Sequence, residues 1–385
     1  MYYQRKIFND VLASFNKGKV VILYGARQIG KTTIAKEIAA KFPDFRYISC
    51  DLASVQAALV PDSNTRLKEY LGEHSLIILD EAQQVEDIGL TLKILIDHYP
   101  TMNILATGSS SFDLANKVGE PLVGRSFEFN MHPISVGELV AAHQGDMMYS
   151  FSQELPTRLI FGMYPEVLNA TSIEAARKVL DSLVSGNLYK DALAYRGIKK
   201  PALVLKLLKL LAYQMGSEVS TNELATILEV DRATVASYIT LLEQSFIIFT
   251  LRPYANNKRL EISRLQKVYF WDVGIRNAII EAYDDLELRK DKGALFENFF
   301  IAEILKQHAI DNVQVFSHFW RTKNGQEIDY VEERSGGRDL RAFESKWKYS
   351  TTPAPSAWTA TYPEAKYQVV TADSLEALLK QESKQ

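Results

Sequence analysis

A short apolar run, Val20-Val21-Ile22-Leu23-Tyr24, ends in Gly25-Ala26-Arg27-Gln28-Ile29-Gly30-Lys31-Thr32-Thr33, and a helical pattern from Ile34 to Lys41 follows at once. Strand, G-x-x-x-x-G-K-T loop and helix in that order suit a polyphosphate. Gly25 and Gly30 let the backbone wrap with its N–H groups turned inward. The helix N-terminus adds about half a positive charge. Lys31 can reach the β- and γ-phosphates of ATP, and the Thr32 hydroxyl can ligate Mg²⁺. Every residue from Gly25 to Thr33 is thus a candidate nucleotide ligand, with Arg27 a possible contact to phosphate or to a partner.

A second group of acids fits the same chemistry. Leu76-Ile77-Ile78-Leu79 runs into Asp80-Glu81. An acid at a strand tip beside a phosphate loop can hold a water of Mg²⁺, and the next acid can orient or deprotonate the attacking water. Asn103 to Ser109 is another apolar run that ends in hydroxyls. Thr107 and Ser109 could sense the γ-phosphate if this strand lies between the other two; ordinary turn chemistry explains them equally well. Arg125 could act as an arginine finger, in cis or from a neighbouring subunit, or form a surface salt bridge.

A third group lies near the C-terminus. Glu297 sits in a helical pattern from Ala294 to His308, Asp329 in the strand pattern Gln326 to Glu332, and Glu344 and Lys346 in the next, from Leu340. Gly336-Gly337 supplies a hairpin turn between the two strands. Glu344 and Lys346 share a face by the period of two, and Asp329 can meet them across the hairpin. Such carboxylates could hold Mg²⁺ or Mn²⁺, with Lys346 stabilising charge on a phosphodiester. Glu327 is a further candidate ligand. A solvent-facing strand pair with one ion pair is the plainer alternative.

The elements that must carry these groups are legible. Runs apolar at nearly every position (Val20–Tyr24, Leu76–Leu79, Asn103–Ala106), and a further strand pattern, Phe45–Cys50, suit a parallel sheet buried on both faces, with helices such as Asp87 to His98 as crossovers. Leu, Ala and Val at helical spacing fill Ser135 to Leu211. Lys190, Arg196, Lys199, Lys200, Lys206 and Lys209 form a basic stretch there, read as a solvated face or a phosphate contact. Ser220 caps a helix from Glu223 to Leu228, and Asp231 caps a second from Ala233 to Glu243, with Val235, Ile239 and Leu242 on one face. A β-rich Phe246 to Leu251 follows. That order is a winged-helix signature, with Arg232, Thr234, Ser237 and Tyr238 expected outward as DNA contacts or as part of a protein-contact module. The mixed charges of Glu287 to Gly293 read as a solvated join.

The chain has 385 residues, too many for one core. Its net charge of −3 excludes a global basic field, so a nucleic-acid surface must be local. One cysteine, Cys50, excludes an intramolecular disulfide and reads as a buried small residue. Neither a secretory h-region nor a stretch of about 20 apolar residues is present, so a cytoplasmic location without membrane contact is expected.

The motifs Gly25-Ala-Arg-Gln-Ile-Gly-Lys-Thr32, Leu79-Asp-Glu-Ala-Gln83, Ala106-Thr-Gly-Ser-Ser-Ser111, Val123-Gly-Arg125, His132-Pro-Ile-Ser135 and Gly162-Met-Tyr-Pro-Glu166 resemble those of a large prokaryotic group of AAA-type ATPases. Members carry a C-terminal domain of unknown function related to restriction-endonuclease folds, and Asp329 with Glu344-x-Lys346 is similar to the metal site of such nucleases. Together with the patterns above, the resemblance predicts an α/β protein: a P-loop ATPase domain over 1–134, a helical lid over 135–211, a winged helix over 212–285 and a restriction-endonuclease-like α/β domain over 286–385. It implies ATP binding and hydrolysis, with rings or other homo-oligomers as one outcome. The leading expectation is an Mg²⁺-dependent ATPase acting on nucleic acid. The alternative is an ATP-driven switch that binds a protein partner through a catalytically silent C-terminal domain.

Overall fold

The apolar runs of the N-terminal third become the interior of a sheet. The computed structural model describes residues 1–108, 122–188, 201–255, 265–334 and 339–382. Ser109, Lys190, Arg196, Lys199, Lys200, Gly336 and Gly337 lie outside those ranges. Strands β1 (Val20–Gly25), β2 (Phe45–Ser49), β3 (Leu76–Asp80), β4 (Ile104–Gly108) and β5 (Ser126–Met131) lie in the order β2-β3-β4-β1-β5, all parallel. Each residue of β1, β3 and β4 is buried, whereas β2 and β5 are partly exposed. Central strands covered on both faces have no polar side to show, and edge strands do. Helices α1 (Phe8–Leu12), α2 (Lys31–Ala39), α3 (Ala53–Ala58), α4 (Asn64–Leu71) and α5 (Ile88–His98) complete this part. Cys50 is fully buried, and burial pushes its thiol up to about 12.

The described residues group into two compact units. One holds Tyr2–Ile134 and Gln244–Phe246; the other holds Met1, Ser135–Glu243 and Ile247–Gln385. The second unit begins with α6 (Val136–Ala142), whose entry is fixed by a reciprocal cap: Ser135 Oγ accepts from Glu138 N, and Glu138 accepts from Ser135 N. Then come α7 (Phe151–Phe161), α8 (Pro165–Leu168), α9 (Ile173–Ser182) and α10 (Pro201–Tyr213). Gly162 ends α7 with φ +73°, and a Cβ there would meet Asp272 Oδ1 at 1.9 Å. That close approach lets Asp272 Oδ2 accept Met163 N at 2.7 Å. The Gly-Met-Tyr-Pro motif therefore has a packing role.

Next follow β6 (Glu218–Val219), α11 (Thr221–Leu228), α12 (Arg232–Gln244), β7 (Ile248–Pro253) and β8 (Gln266–Phe270). Ser220 and Asp231 cap the two helices as expected, accepting from Glu223 N and Thr234 N. Tyr238 is buried, against expectation; it stands one helical turn from Val235 and joins that residue's apolar face. The rest of the unit is α13 (Val273–Ile279), α14 (Lys292–Ile310), β9 (Phe316–Arg321), β10 (Glu327–Arg334), β11 (Asp339–Lys346), α15 (Ser356–Thr361), β12 (Lys366–Thr371) and α16 (Leu375–Glu382). The strands form one sheet in the order β12-β11-β10-β9-β7-β8-β6. The β7–β8 hairpin is continuous with the C-terminal strands because Arg252 and Pro253 of β7 pair in parallel with His318 and Phe319 of β9.

The stretch before α14 differs from a solvated join. Arg289 forks onto Asp291 with both N–H···O distances at 2.8 Å, and Arg276 donates to the same carboxylate at 2.6 Å. The side chains of Arg276 and Arg289 are each 5% exposed. Among the described residues, no helix is long and apolar enough to cross a membrane.

Candidate functional site

The C-terminal ends of β1, β3 and β4 bring the phosphate-loop residues and the acids together. Because β4 lies between β1 and β3, Thr107 stands beside Asp80. Thr107 Oγ1 donates to Asp80 Oδ1 and accepts from Glu81 N at 3.2 Å. Thr32 Oγ1, in the first turn of α2, donates to Asp80 Oδ2 at 3.0 Å. Tyr47 on β2 donates its phenol to the same oxygen, a contact that composition and spacing did not point to. Burial and the Asp80 carboxylate push the Tyr47 phenol well above its usual range, so it stays a donor. Asp80 is 7% exposed and is held by three neutral hydroxyls.

The loop is shaped by close packing. A Cβ on Gly25 would meet Met131 O at 2.3 Å and Ile29 Cδ1 at 2.5 Å, so no other residue fits there. Lys31 is 5% exposed and donates to Gly25 O at 2.9 Å and Ala26 O at 2.8 Å. Arg5, also buried and unforeseen, clamps the loop by donating to Ile29 O at 2.9 Å and to His132 O at 2.6 Å. Ala26 and Ile29 are buried, Arg27, Gly30 and Thr32 half-buried, and Gln28 and Thr33 exposed. Glu81 has φ +54°, a left-handed turn that costs a non-glycine residue about 1–2 kcal/mol. Its half-buried carboxylate accepts from Gln83 Nε2.

Arg125 is placed elsewhere. It immediately precedes β5, where its carbonyl accepts from Val20 N, and its guanidinium pairs with Asp97 at 2.6 Å. Val20 opens β1 and Gly25 closes it, so Arg125 and the loop stand at opposite ends of a strand roughly 16 Å long. The cis arginine finger is thereby corrected; the sheet direction puts the residue at the wrong end.

In the other unit, the C-terminal acids gather but are already partnered. The ladder between β9 and β10 shifts register between Ile328 and Val331. Asp329 falls in that irregularity, and its Oδ2 accepts from Ser345 N at 2.8 Å and Ser345 Oγ at 2.7 Å. Lys346 donates to Glu344 at 2.7 Å, as the shared strand face requires. Glu297 accepts from Tyr269 OH at 2.7 Å and pairs with Lys267 at 3.3 Å. Lys267 also pairs with Glu327. Burial, then Asp329, push Glu297 up to about 7. Burial and Asp329 raise Glu344 as well.

In the expected metal set, a counter-charge or a hydrogen-bond donor holds one oxygen of each of Glu297, Asp329 and Glu344, so the set fits a divalent ion poorly. A different set, His308, Glu332 and Glu382, has ligand atoms within 4.8 Å of one another. Arg334 and Arg341 fill that cluster, each donating to Glu382. Of the outward residues expected on α12, Arg232 and Ser237 are exposed; Thr234 is half-buried on its own cap and Tyr238 is buried.

A signal-transduction ATPase with numerous domains and a tetratricopeptide-repeat sensor, from Pyrococcus horikoshii, aligns over 80% of this chain at 11% identity with a TM-score of 0.31. A Saccharomyces cerevisiae Hsp104–ADP complex aligns over 63% at 15% identity with a TM-score of 0.32. The chain spans 45% and 40% of those two structures. An uncharacterized protein of Mycobacterium tuberculosis is 28% identical over 348 residues, 89% of this chain and 73% of its own length. One of Methanocaldococcus jannaschii is 25% identical over 363 residues, 84% and 73% of the two chains. Residues 152–286 match a domain of unknown function (DUF8612), and residues 292–383 match another (DUF4143). Residues 17–140 match an AAA domain, and this segment, with its phosphate loop and parallel sheet, belongs to the AAA-type P-loop ATPases.

Proposed function

We propose that this chain hydrolyses ATP with Mg²⁺ at the loop between β1 and α2, and uses the cycle as a switch toward a macromolecular partner. The observation that carries the reading is the Thr32–Asp80 hydrogen bond at 3.0 Å, which joins the phosphate loop to the acid at the tip of β3. The donor set there is hard oxygen, which suits Mg²⁺. Thr32 would ligate the cation directly and Asp80 through water, offsetting charge on the phosphates.

Lys31 has two loop carbonyls to exchange for β- and γ-phosphate oxygens. The Gly25–Thr33 backbone cradles the phosphates, and Glu81 orients the attacking water and accepts its proton. Thr107 holds Asp80 and the Glu81 amide in register on either side of its hydroxyl. As an arginine finger, Arg125 serves the site of a neighbouring copy. The test is steady-state ATP turnover with Mg²⁺: Lys31→Ala should lose it, and unchanged turnover would refute the assignment.

For the C-terminal half two readings compete. In one, Asp329, Glu344 and Lys346 cleave nucleic acid with Mg²⁺ or Mn²⁺, with Arg232 and Ser237 exposed toward DNA. In the other, the C-terminal segment is silent and a protein partner is the target. The ion pairs of Lys267 favour the second. Plasmid cleavage by the wild type that is lost in Asp329→Ala would reverse that preference.

A further inference from the structure

We propose that Lys267 occupies the place of a divalent cation in the C-terminal carboxylate cluster, so that the cluster is closed to metal by its own chain. The inference rests on the silent reading of that half and deepens it. Lys267 comes from β8, far in sequence from the Glu344-x-Lys346 strand, and its side chain is 3% exposed. Its ammonium lies 3.3 Å from Glu297 Oε1, pairs with Glu327, and faces the Phe319 ring at 5.4 Å. An ammonium taken this far from water is tolerated only where carboxylates surround it. Burial works to discharge it, but Glu297 and Glu327 outweigh burial and hold it charged.

A divalent ion needs several free carboxylate oxygens converging on one point. Here Glu297 and Glu327 are drawn to Lys267, Asp329 Oδ2 is spent on Ser345, and Glu344 Oε1 on Lys346. Glu344 Oε2 is buried with no hydrogen-bond partner, an acceptor facing no donor. Removing the Lys267 charge leaves Glu297 with the Tyr269 hydroxyl and Glu327 with Arg321, both acids in the electrostatic reach of Asp329 or Glu344, and so leaves an excess of negative charge that a cation would satisfy. Lys267, Glu297, Glu327, Asp329 and Glu344 belong to the same compact unit.

The experiment is a titration of the nucleotide-free full chain with Mn²⁺, read by electron paramagnetic resonance, for the wild type, Lys267→Met and Lys267→Arg. Lys267→Met should gain a single Mn²⁺, bound at least about tenfold more tightly than by the wild type, and lose it again on adding Asp329→Asn. Lys267→Arg keeps the charge and should match the wild type. Mn²⁺ should also raise the melting temperature of Lys267→Met and leave that of the wild type unchanged. If Lys267→Met does not fold, Lys267→Gln carries the same test. A wild-type Mn²⁺ site abolished by Asp329→Asn would overturn the proposal, and so would a folded Lys267→Met or Lys267→Gln with no gain. Plasmid cleavage by the wild type separately reports failure of the silent reading.

Discussion

The two acid clusters of this chain are built from similar parts and treat charge in opposite ways. At the phosphate loop, Asp80 is buried yet accepts from Thr32, Tyr47 and Thr107, all neutral. Its negative charge is solvated by hydroxyls and stays available to a cation. Near the C-terminus, Glu297 and Glu327 meet Lys267, and Glu344 meets Lys346, so each of these acids faces a counter-charge within the fold. Buried charge kept on neutral donors awaits a ligand, whereas buried charge kept on counter-charges is structure. The contrast explains why the two acid motifs have different prospects as sites.

The largest effect expected on this comparison is at Lys31. Lys31→Ala removes the ammonium from the loop and should lower ATP turnover at least about a hundredfold, with nucleotide affinity falling too. Glu81→Gln should lower turnover by roughly 10²–10⁴ while leaving ATP binding near the wild-type value, measured by calorimetry. Loss of binding would move Glu81 from the chemistry to the fold. Tyr47→Phe sharpens the neutral-donor argument: Mg²⁺ dependence of turnover should shift about tenfold toward higher Mg²⁺, with Asp80 less well oriented.

Asp291 tests the opposite kind of site. Burial opposes its charge, but Arg289 and Arg276 hold it down to about 2, against 3.8 when unfolded. A carboxyl depressed in the folded state stabilises fully above pH 3.8, and that contribution is lost as pH falls through about 2. Asp291→Asn should flatten acid unfolding over that window, followed by circular dichroism, and cost about 3 kcal/mol at neutral pH by leaving two guanidiniums unpaired. The smallest effect belongs to Arg125→Ala. Its ion pair with Asp97 is exposed and screened by solvent, so turnover of dilute protein should stay within about twofold. A large loss that grows with protein concentration would assign Arg125 to a neighbour's site.

Much of the first cluster was legible because its chemistry is local. β1, β3 and β4 announce themselves as unbroken apolar runs, and the loop and acids lie at their ends. β5 carries no such mark: Ser126-Phe-Glu-Phe-Asn-Met131 alternates, as an edge strand does, and forms no unbroken apolar run. Tyr47 escaped for the same reason, since nothing in an edge strand marks which side chain reaches a distant carboxylate. In the second cluster the hairpin and the Glu344–Lys346 pairing followed from the period of two. Lys267 could not be read, because only the seven-stranded order brings β8 and β10 into one sheet. Tyr238 was legible and misassigned: three residues from Val235, it had to share that residue's face.

The most direct test of the contrast is to count Mn²⁺ on the full chain in the presence of ATP. The account predicts a single ion per chain, bound only with nucleotide, lost in Asp80→Asn and untouched by Asp329→Asn. A second ion that survives Asp80→Asn and disappears in Asp329→Asn would contradict it.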